Sequence, residues 1–339
     1  MARGGRRRQG RGAGGALTRP FSYQRAGSLS EAAALLALPG AAPLGGGTDL
    51  LVSIEEGIAA PSPSTLVDLR GVRGGDAIEA LPDGGASIGA CALLHDIANE
   101  ALIADRFPAL AQACAVVGSS ALRNMGTLGG NLCQRPRCWY FRRAVPCFKN
   151  GGDSCPAREG ENQYLAILDG GPCYIVHPSD PAVALTALDA RVEVIGEGST
   201  REIPLAEFYA LPADRMDHET VLRGGEFVGA ILLPPSASGE RQLYRKLMQR
   251  EAWDFALVSI AAARHADGTV RLALGGVAPR PWRLPTSVEE DVAAGGLDED
   301  SISALAERAL YDAEPLAKNG YKVELAASLI RDAIRELGS

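Results

Sequence analysis

Histidine is scarce in this sequence, and C-x-x-C pairs are missing from it. The four histidines include no two with the spacing of metal ligands, so each is expected to be a surface or hydrogen-bonded residue. Without a C-x-x-C hook, the seven cysteines do not match the pattern common in zinc fingers and zinc ribbons. No stretch approaches the ~20 apolar residues of a membrane-spanning helix. The sequence thus offers no evident machinery for acting on a substrate by itself.

The formal net charge of −7 argues against general nucleic-acid binding, because duplex affinity comes largely from basic residues that neutralise phosphates. The beginning of the chain differs from the rest. Its arginines stand among glycines and alanines, with no apolar run behind them: Arg3, Arg6, Arg7, Arg8 and Arg11. Such a segment cannot bury a core, and it lacks the roughly 7–15 apolar residues of an export signal. Residues 1–18 are therefore expected to form a disordered basic tail.

Glycine and proline divide the remaining chain, which is hydrophobic enough to form two or three domains. Ser28–Glu31 has the form of a capping box and predicts a helix that ends at Pro39-Gly40. Ala41–Leu44 has the pattern of a short buried strand, and Ala109–Leu122 has the pattern of a helix. A proline- and serine-rich stretch begins at Pro234. These boundaries predict three units: 19–85, 86–235 and 240–339.

Two glycine-rich loops have the composition of anion-binding turns. Gly45–Asp49 follows the predicted strand, and Gly129–Asn131 follows the predicted helix. Glycine allows positive φ and close approach to a ligand, so consecutive backbone amides can form a concave nest for a phosphate. Two facing nests would suit a pyrophosphate, although either loop alone could be only a tight turn. Neither loop is a G-x-G-x-x-G or Walker A sequence, so the usual dinucleotide and ATP folds are not indicated.

The cysteines give a sharper signal. Cys91 and Cys114 stand alone in apolar surroundings and are expected to be packing residues. The other five crowd into residues 133–173, a segment without periodic pattern, and long loops of this kind tend to be functional. Four of them are separated by 8, 7 and 17 residues: Cys138, Cys147, Cys155 and Cys173. Four thiolates suffice for a 4Fe-4S cluster, but the spacing leaves zinc equally open.

Basic residues surround these cysteines: Arg135, Arg137, Arg142, Arg143 and Lys149. Their positive charge would offset the net negative charge of a thiolate-ligated cluster and raise its potential. Exposed, they could also steer an acidic electron-transfer partner. The alternative is that they form an ordinary solvated basic face.

Four peptides resemble the FAD-binding subunit of the xanthine dehydrogenase family of molybdenum hydroxylases. They are Pro43–Leu50, Arg123–Leu132, His177–Asp180 and Tyr244–Lys246. The resemblance runs from about Arg19 to the C-terminus. The segment 133–173 resembles the insertion of aldehyde oxidoreductase FAD subunits with an extra 4Fe-4S cluster, and that of the β subunit of 4-hydroxybenzoyl-CoA reductase. Most members of the family lack it.

The resemblance implies an α+β fold of the vanillyl-alcohol-oxidase (PCMH) type, with two α/β subdomains around FAD and a C-terminal α/β domain. It assigns FAD contacts to Leu44, Gly45, Gly46, Gly47, Thr48, Asp49, Leu50, Gly118, Thr127, Gly129, Gly130, Asn131, Asp180 and Lys246. In this assignment Asp180 accepts hydrogen bonds near the ribose and Lys246 lies near the isoalloxazine. Cys138, Cys147, Cys155 and Cys173 would bind the 4Fe-4S cluster, and Cys133 is left out.

The implied function is electron transfer in a heterotrimeric molybdenum-dependent aldehyde oxidoreductase. Electrons would pass from a molybdenum cofactor on a large subunit through 2Fe-2S clusters on a small subunit to FAD, and on to a ferredoxin-like or other one-electron acceptor. One alternative is a subunit of an aryl-CoA reductase that carries electrons inward. Another is a non-catalytic zinc-bound assembly subunit without flavin. The expected location is the cytoplasm, or the periplasm by co-export with a partner.

Overall fold

The computed structural model describes residues 20–58, 61–237 and 240–338, so the predicted tail 1–18 lies outside the described residues. The strands are β1 Ser22–Arg25, β2 Ala41–Leu44, β3 Thr65–Asp68, β4 Ile78–Ala80, β5 Ala86–Gly89, β6 Arg191–Gly196, β7 Ser199–Pro204, β8 Phe227–Leu233, β9 Arg241–Leu247, β10 Val258–Arg264, β11 Val270–Gly275 and β12 Trp282–Arg283.

The helices are α1 Leu29–Leu36, α2 Leu50–Glu55, α3 Leu94–Asn99, α4 Ala101–Arg106, α5 Pro108–Ala115, α6 Ser120–Arg123, α7 Leu128–Leu132, α8 Trp139–Arg142, α9 Asp180–Ala187, α10 Leu205–Phe208, α11 Thr286–Ala294, α12 Glu299–Ala309 and α13 Tyr321–Gly338. A single 3₁₀ turn is described at Phe148–Asn150. In the described part of the chain, no helix is both long and apolar enough to cross a membrane.

A small parallel sheet in the order β1-β3-β2 forms the first layer. The predicted capping box is confirmed, because Ser28 Oγ accepts a hydrogen bond from the Glu31 amide and the Glu31 carboxylate accepts one from Gly27. Helix α1 then leads to β2, which ends at Leu44. The first glycine loop therefore leaves the carboxyl end of a parallel strand, where ligands commonly bind in α/β sheets.

The second layer is an antiparallel sheet in the order β4-β5-β8-β6-β7, with α5 and α9 packed against each other beside it. Its core is a continuous apolar cluster that includes Ile88, Leu110, Leu185 and Ile231. A third sheet, β12-β11-β10-β9, carries α11, α12 and α13 over a separate core. Helix α9 also contacts β10 and β11, so the second and third sheets share one helix.

The helix predicted over Ala109–Leu122 is divided in the structure into α5 and α6. Gly118 has φ +49°, a left-handed conformation that stops a helix, and Ser119 begins the next one by accepting from the Leu122 amide. After α6 the chain turns, and the Gly126 amide donates to the Leu122 carbonyl at 2.7 Å. The break between α5 and α6 and this turn together position the second glycine loop, which follows.

Candidate cofactor site

The first glycine loop is an open amide nest. Within the described residues, the backbone amides of Gly46, Gly47, Thr48 and Asp49 donate to no protein acceptor. Gly47 has φ +74°, and the left-handed residue turns successive amides to one side. Thr48 is exposed, so the loop is accessible from solvent. Four consecutive unused donors are what a phosphate nest requires, so the loop keeps free the amides that its composition predicts for an anion.

The second glycine loop is not a nest, contrary to the sequence prediction. Its amides are already bonded within the protein: Leu128 to the Ala92 carbonyl, Gly129 to Ala90, Gly130 to the Thr127 hydroxyl and Asn131 to the Thr127 carbonyl. The physical reason is twofold. Thr127 caps the short helix α7 and so accepts from Gly130 and Asn131, and the turn after β5 lies beside the loop and accepts from Leu128 and Gly129. Thr127 Oγ1 accepts from Gly130, which leaves its own hydrogen available for a ligand.

The two loops are pressed against each other. A Cβ atom on Gly46 would lie 1.7 Å from the Met125 carbonyl oxygen, and one on Gly45 would lie 2.5 Å from Thr127 Oγ1. Only glycine permits this approach. The predicted meeting of the two loops is therefore found, although only the first offers free amides.

Asp49 does not cap the helix that it precedes. Its carboxylate instead accepts from the backbone amide of Arg135 at 2.7 Å and from the Arg142 guanidinium at 2.7 Å, and Arg137 Nη1 lies 3.0 Å away. All three donors belong to the segment 133–173. The side chain assigned to the diphosphate by resemblance thus faces the cysteine insertion.

Asp180 and Lys246 are paired with each other in the interior. Lys246 Nζ lies 2.8 Å from Asp180 Oδ2, and the Tyr244 hydroxyl donates to Asp180 Oδ1 at 2.6 Å. Burial raises the pKa of Asp180, while Lys246 and Tyr244 act in the opposite direction. Lys246 Nζ also lies 3.4 Å from the Val116 carbonyl, two residues before Gly118. This group of predicted FAD contacts is therefore one polar cluster, held by a tyrosine that the sequence did not single out.

A cavity of ≈ 350 Å³ adjoins this cluster. Asp180 and Ser179 line it from the start of α9, Cys138 and Trp139 from the insertion, and Leu257 from the segment before β10. Ser179 donates to Asn131 Oδ1 at 2.6 Å, which connects the cavity to the second glycine loop. The predicted FAD contacts therefore lie in one continuous region. The first glycine loop contacts the second, and Ser179 connects the second loop to the cavity.

Two of the four predicted cluster ligands, Cys138 and Cys173, have thiol pKa values that neighbouring cysteines raise. Burial raises the pKa of Cys138 most strongly, and Cys155 and Cys147 raise it further, while the amides of α8 oppose them. Burial raises the pKa of Cys173 to about 12, Lys149 lowers it, and Cys155 and Cys138 raise it. Cys138 and Cys173 therefore both lie near Cys155, and the binding of a cluster by the four thiols stays a prediction.

The other three cysteines lie apart from this group. Burial raises the pKa of Cys91 to about 11 and that of Cys133 to about 12, and it raises that of Cys114 as well. None of these shifts includes a contribution from another cysteine. Across the described ranges, no three His, Cys, Asp or Glu side chains converge closely enough to hold a single metal ion.

The basic residues of the insertion do not form an open surface. Arg137 and Arg142 pair with Asp49, whereas Arg135 Nε and Lys149 Nζ lie 2.6 and 2.7 Å from the two carboxylate oxygens of buried Glu219. Arg143 is the exposed member of the set. The idea that these residues together steer a partner is therefore wrong for most of them, because they anchor the insertion to the body of the protein.

Two further features have no role among the predicted site residues. His177 lines the cavity, is 4% exposed and stacks on Tyr209 with centroids 4.4 Å apart, and burial lowers its pKa to about 3. Gly85–Gly89 has the G-x-S-x-G pattern, but most of it is strand β5 and not a strand-to-helix elbow. It therefore carries no catalytic proposal.

Comparison with known families settles the class of protein. Residues 19–236 match the FAD binding domain in molybdopterin dehydrogenase, and residues 243–337 match the CO dehydrogenase flavoprotein C-terminal domain. The chain belongs to the FAD-binding subunits of the molybdenum hydroxylase family. This FAD-binding subunit is accordingly part of an oxidoreductase.

Relatives of this FAD-binding subunit cover nearly its whole length. It is 38% identical to the aldehyde oxidoreductase FAD-binding subunit PaoB of Escherichia coli K12 over 321 residues, which are 93% of this chain and 98% of that protein. It is 27% identical to the glyceraldehyde dehydrogenase medium chain of Sulfolobus acidocaldarius over 94% of this chain and 98% of that one.

Solved structures agree on the fold. Carbon monoxide dehydrogenase from Hydrogenophaga pseudoflava matches with a TM-score of 0.70 and 23% identity over 95% of this chain and 98% of the other. Quinoline 2-oxidoreductase from Pseudomonas putida 86 matches with a TM-score of 0.72 and 22% identity over the same shares. The predicted α+β fold of the PCMH type with a C-terminal domain is confirmed.

Proposed function

We propose that this FAD-binding subunit transfers electrons within a molybdenum-dependent aldehyde oxidoreductase, and that it carries a 4Fe-4S cluster beside its flavin. The observation that carries the proposal is the shared cavity. Cys138 and Trp139 of the insertion line the same cavity as Ser179 and Asp180 of the flavin region. A cluster on the insertion would therefore adjoin a flavin ring that reaches this cavity.

The flavin half of the proposal is supported by residues that suit a dinucleotide. The free amides of Gly46, Gly47, Thr48 and Asp49 would hold the diphosphate, and Thr127 could add its hydroxyl hydrogen. Bound FAD supplies one- and two-electron exchange, which can join one-electron iron-sulfur centres to an external acceptor. The buried Lys246–Asp180 pair would fix charge and hydrogen-bond donors beside the ring. The cavity's apolar walls would exclude water there.

The cluster half of the proposal is supported by the donor set. Cys155 and Cys147 raise the pKa of Cys138, and Cys155 and Cys138 raise that of Cys173. Cys147 and Cys173 are buried and Cys138 and Cys155 are half-buried, in a segment that ion pairs of Asp49 and Glu219 hold to the body of the protein. Four thiolates suffice for a 4Fe-4S cluster. Lys149 lies near enough to Cys173 to lower its pKa, so positive charge is already available to offset thiolates.

The assembly and the substrate are proposed from the relatives. PaoB is named for an aldehyde oxidoreductase, so we propose an aldehyde as the substrate of the complex. We further propose a large molybdenum-cofactor subunit and a small 2Fe-2S subunit as partners, in the cytoplasm or co-exported to the periplasm. An aryl-CoA reductase is the second candidate within the family, since its β subunit resembles this chain in the same insertion.

Removal of one proposed ligand tests the cluster. In the purified complex, Cys155→Ser is expected to lower both iron and acid-labile sulfide by about one 4Fe-4S equivalent, with FAD content unchanged. Cys133→Ser is the matched control and is expected to keep all three, because this cysteine lies outside the interacting group. Equal iron in Cys155→Ser and the parent complex would contradict the cluster.

Metal and flavin contents also separate the alternatives. Zinc in place of the additional iron, in a complex without a flavin absorption band, would support the assembly subunit. Turnover of a thioester-activated aromatic ring in place of aldehydes would support the aryl-CoA reductase. Aldehyde oxidation by a complex that contains FAD and the extra iron is the expected result.

A further inference from the structure

The last residue of the first glycine loop is bound to the cysteine insertion. Asp49 Oδ2 accepts from the Arg135 amide at 2.7 Å, and its Oδ1 accepts from Arg142 at 2.7 Å. Arg137 Nη1 is 3.0 Å from the same Oδ1. The Asp49 side chain is 16% exposed, and the three donors lie 86 or more residues further along the chain. One carboxylate thus joins two distant parts of the chain.

Arg142 extends this junction in both directions. Its guanidinium donates to the carbonyls of Pro136 at 2.8 Å and Arg135 at 3.0 Å, which folds the insertion back on itself. It also donates to Ser53 Oγ of helix α2 at 3.2 Å. The planar fork of arginine suits several acceptors at once, which a lysine could not satisfy.

Arg137 continues the junction to the cavity. Its guanidinium lies over the Phe255 ring at 5.2 Å from the centroid, and both side chains line the cavity. Phe255 belongs to the segment between β9 and β10. The first glycine loop, the insertion and the C-terminal region therefore meet through Asp49 and Arg137.

The charge of Asp49 makes this junction sensitive to an anion. The Asp49 carboxylate adjoins the four free amides, so by itself it would repel a phosphate bound there. The arginines of the docked insertion offset that charge. An anion should therefore bind better when the insertion is docked, and by thermodynamic reciprocity the bound anion should favour docking.

We propose that Asp49 is a positioning residue that couples occupancy of the amide nest to docking of the insertion 133–173. The inference rests on the proposed function, since the anion is the FAD diphosphate. It goes further by predicting that the flavin orders the segment that carries the proposed cluster ligands. The Asp49 carboxylate acts through Arg137 and Arg142, whereas the Asp49 backbone amide is one of the four donors proposed for the phosphate.

Hydrogen exchange of the purified complex, freed of flavin and then reloaded with FAD, tests this coupling. In the parent protein, FAD is expected to slow exchange of the amides in residues 135–143 at least about fivefold, the lower range of typical coupling between sites. In Asp49→Asn, the same amides are expected to exchange at nearly the same rate with and without FAD. A residue with a merely structural role would change both states alike.

Glu56→Gln is the matched control. Glu56 contacts the same Arg142, at 3.3 Å, but its side chain is 36% exposed and it lies outside the glycine loop. It is expected to keep the full FAD-dependent slowing. If Asp49→Asn folds too poorly to assay, Arg142→Lys makes the same test from the insertion side, with the same expected loss.

The outcomes separate the two proposals. FAD uptake is followed in the same samples by flavin absorption, so a parent complex that takes up no FAD contradicts the proposed function itself. A parent complex that binds FAD without slower exchange in 135–143 overturns the coupling alone. Full FAD-dependent slowing in Asp49→Asn, or in Arg142→Lys, also overturns it.

Discussion

Lys246 Nζ and Asp180 Oδ2 form an ion pair of 2.8 Å in the interior, with side chains only 2% and 7% exposed. Buried charges of this kind are retained only when they are paired and hydrogen-bonded, and here Tyr244 supplies the additional bond. Lys246 lies on β9 and Asp180 begins α9, so the pair joins the third sheet to the helix that the second sheet also uses.

Breaking this pair should be costly. Lys246→Met leaves an uncompensated carboxylate in the interior, so the free energy of unfolding should fall by about 3–5 kcal/mol. Arg245→Met is the control, because its ion pair with Glu336 has both side chains nearly half exposed and should contribute about 0–1 kcal/mol. Urea titration of both variants checks this. Similar decreases in the free energy of unfolding of the two variants would contradict a larger contribution from the buried pair.

The stability of the chain should depend on His177 at mildly acid pH. Burial keeps His177 neutral in the folded chain down to about pH 3, whereas the unfolded chain protonates it near 6.5. Between these values the unfolded state binds more protons, so stability rises with pH and is lost as pH falls. The slope from one proton is at most about 1.4 kcal/mol per pH unit.

His177→Phe should remove this part of the pH dependence, because phenylalanine keeps the ring against Tyr209 without a titrating group. Unfolding free energies at several pH values from 4 to 7 would measure it. The exposed His95→Gln is the control and should stay within about 0.5 kcal/mol of the parent. An unchanged pH slope in His177→Phe would refute the prediction.

Close contact of the two glycine loops should make Gly46 intolerant of any side chain. A methyl group there would meet the Met125 carbonyl at 1.7 Å, so Gly46→Ala must push the loops apart. We expect the variant to lose FAD on gel filtration. We also expect its free energy of unfolding to fall by about 1–3 kcal/mol, because the added methyl group overpacks the contact. Gly224→Ala is the control, since a Cβ atom there meets nothing within 4 Å. FAD retention in Gly46→Ala equal to that of the control would contradict this reading.

Lys322 should be a structural anchor of the later part of the insertion. Its ammonium donates to the carbonyls of Tyr164, Leu165 and Gly276 at 2.7–3.1 Å, and it is 1% exposed. Burial lowers its pKa to about 7. Lys322→Met leaves three carbonyls without this donor, so stability should fall by roughly 3 kcal/mol or more.

Lys318→Met provides the comparison for Lys322→Met. Lys318 pairs with Glu161 at the surface, where both side chains are about half exposed, so its loss should cost no more than about 1 kcal/mol. Thermal unfolding of the two variants side by side makes the test. A smaller loss in Lys322→Met than in Lys318→Met would contradict the anchoring role.

Steering of an acidic electron acceptor should depend on Arg143, because the other members of the predicted basic set, Arg135, Arg137, Arg142 and Lys149, are paired. Arg143→Glu is expected to slow reduction of an acidic one-electron protein at low salt, and the effect should fade as salt rises. A small neutral dye should be reduced at the parent rate. Arg73→Glu is the control, because it introduces the same charge change at an exposed site outside the insertion. If it slows reduction of the acidic protein as much as Arg143→Glu does, Arg143 does not steer that protein specifically.

Much of the site could be predicted because its signals are local. The composition of Gly45–Asp49 predicts a nest, and the structure leaves four amides of that loop without a protein acceptor. The cluster predicted from the four cysteines stays a prediction. The second nest was wrong because Thr127, which caps α7, accepts from Gly130 and Asn131, and Gly129 donates to Ala90 in a turn about 40 residues earlier. The basic face was wrong because the partners Asp49 and Glu219 lie 70 or more residues from their arginines and lysine. No periodicity or motif reports such pairs.

The sequence by itself determined what each loop could do. Backbone freedom belongs to glycine and metal affinity belongs to cysteine thiolates, and neither requires tertiary structure to be recognised. Only the tertiary structure decided which donors remain free, which charges cancel and which side chains share a cavity. Contacts between segments far apart in the chain decide all three. Burial removes water from these contacts, so a polar group is stabilised only if the neighbouring segment supplies a suitable partner.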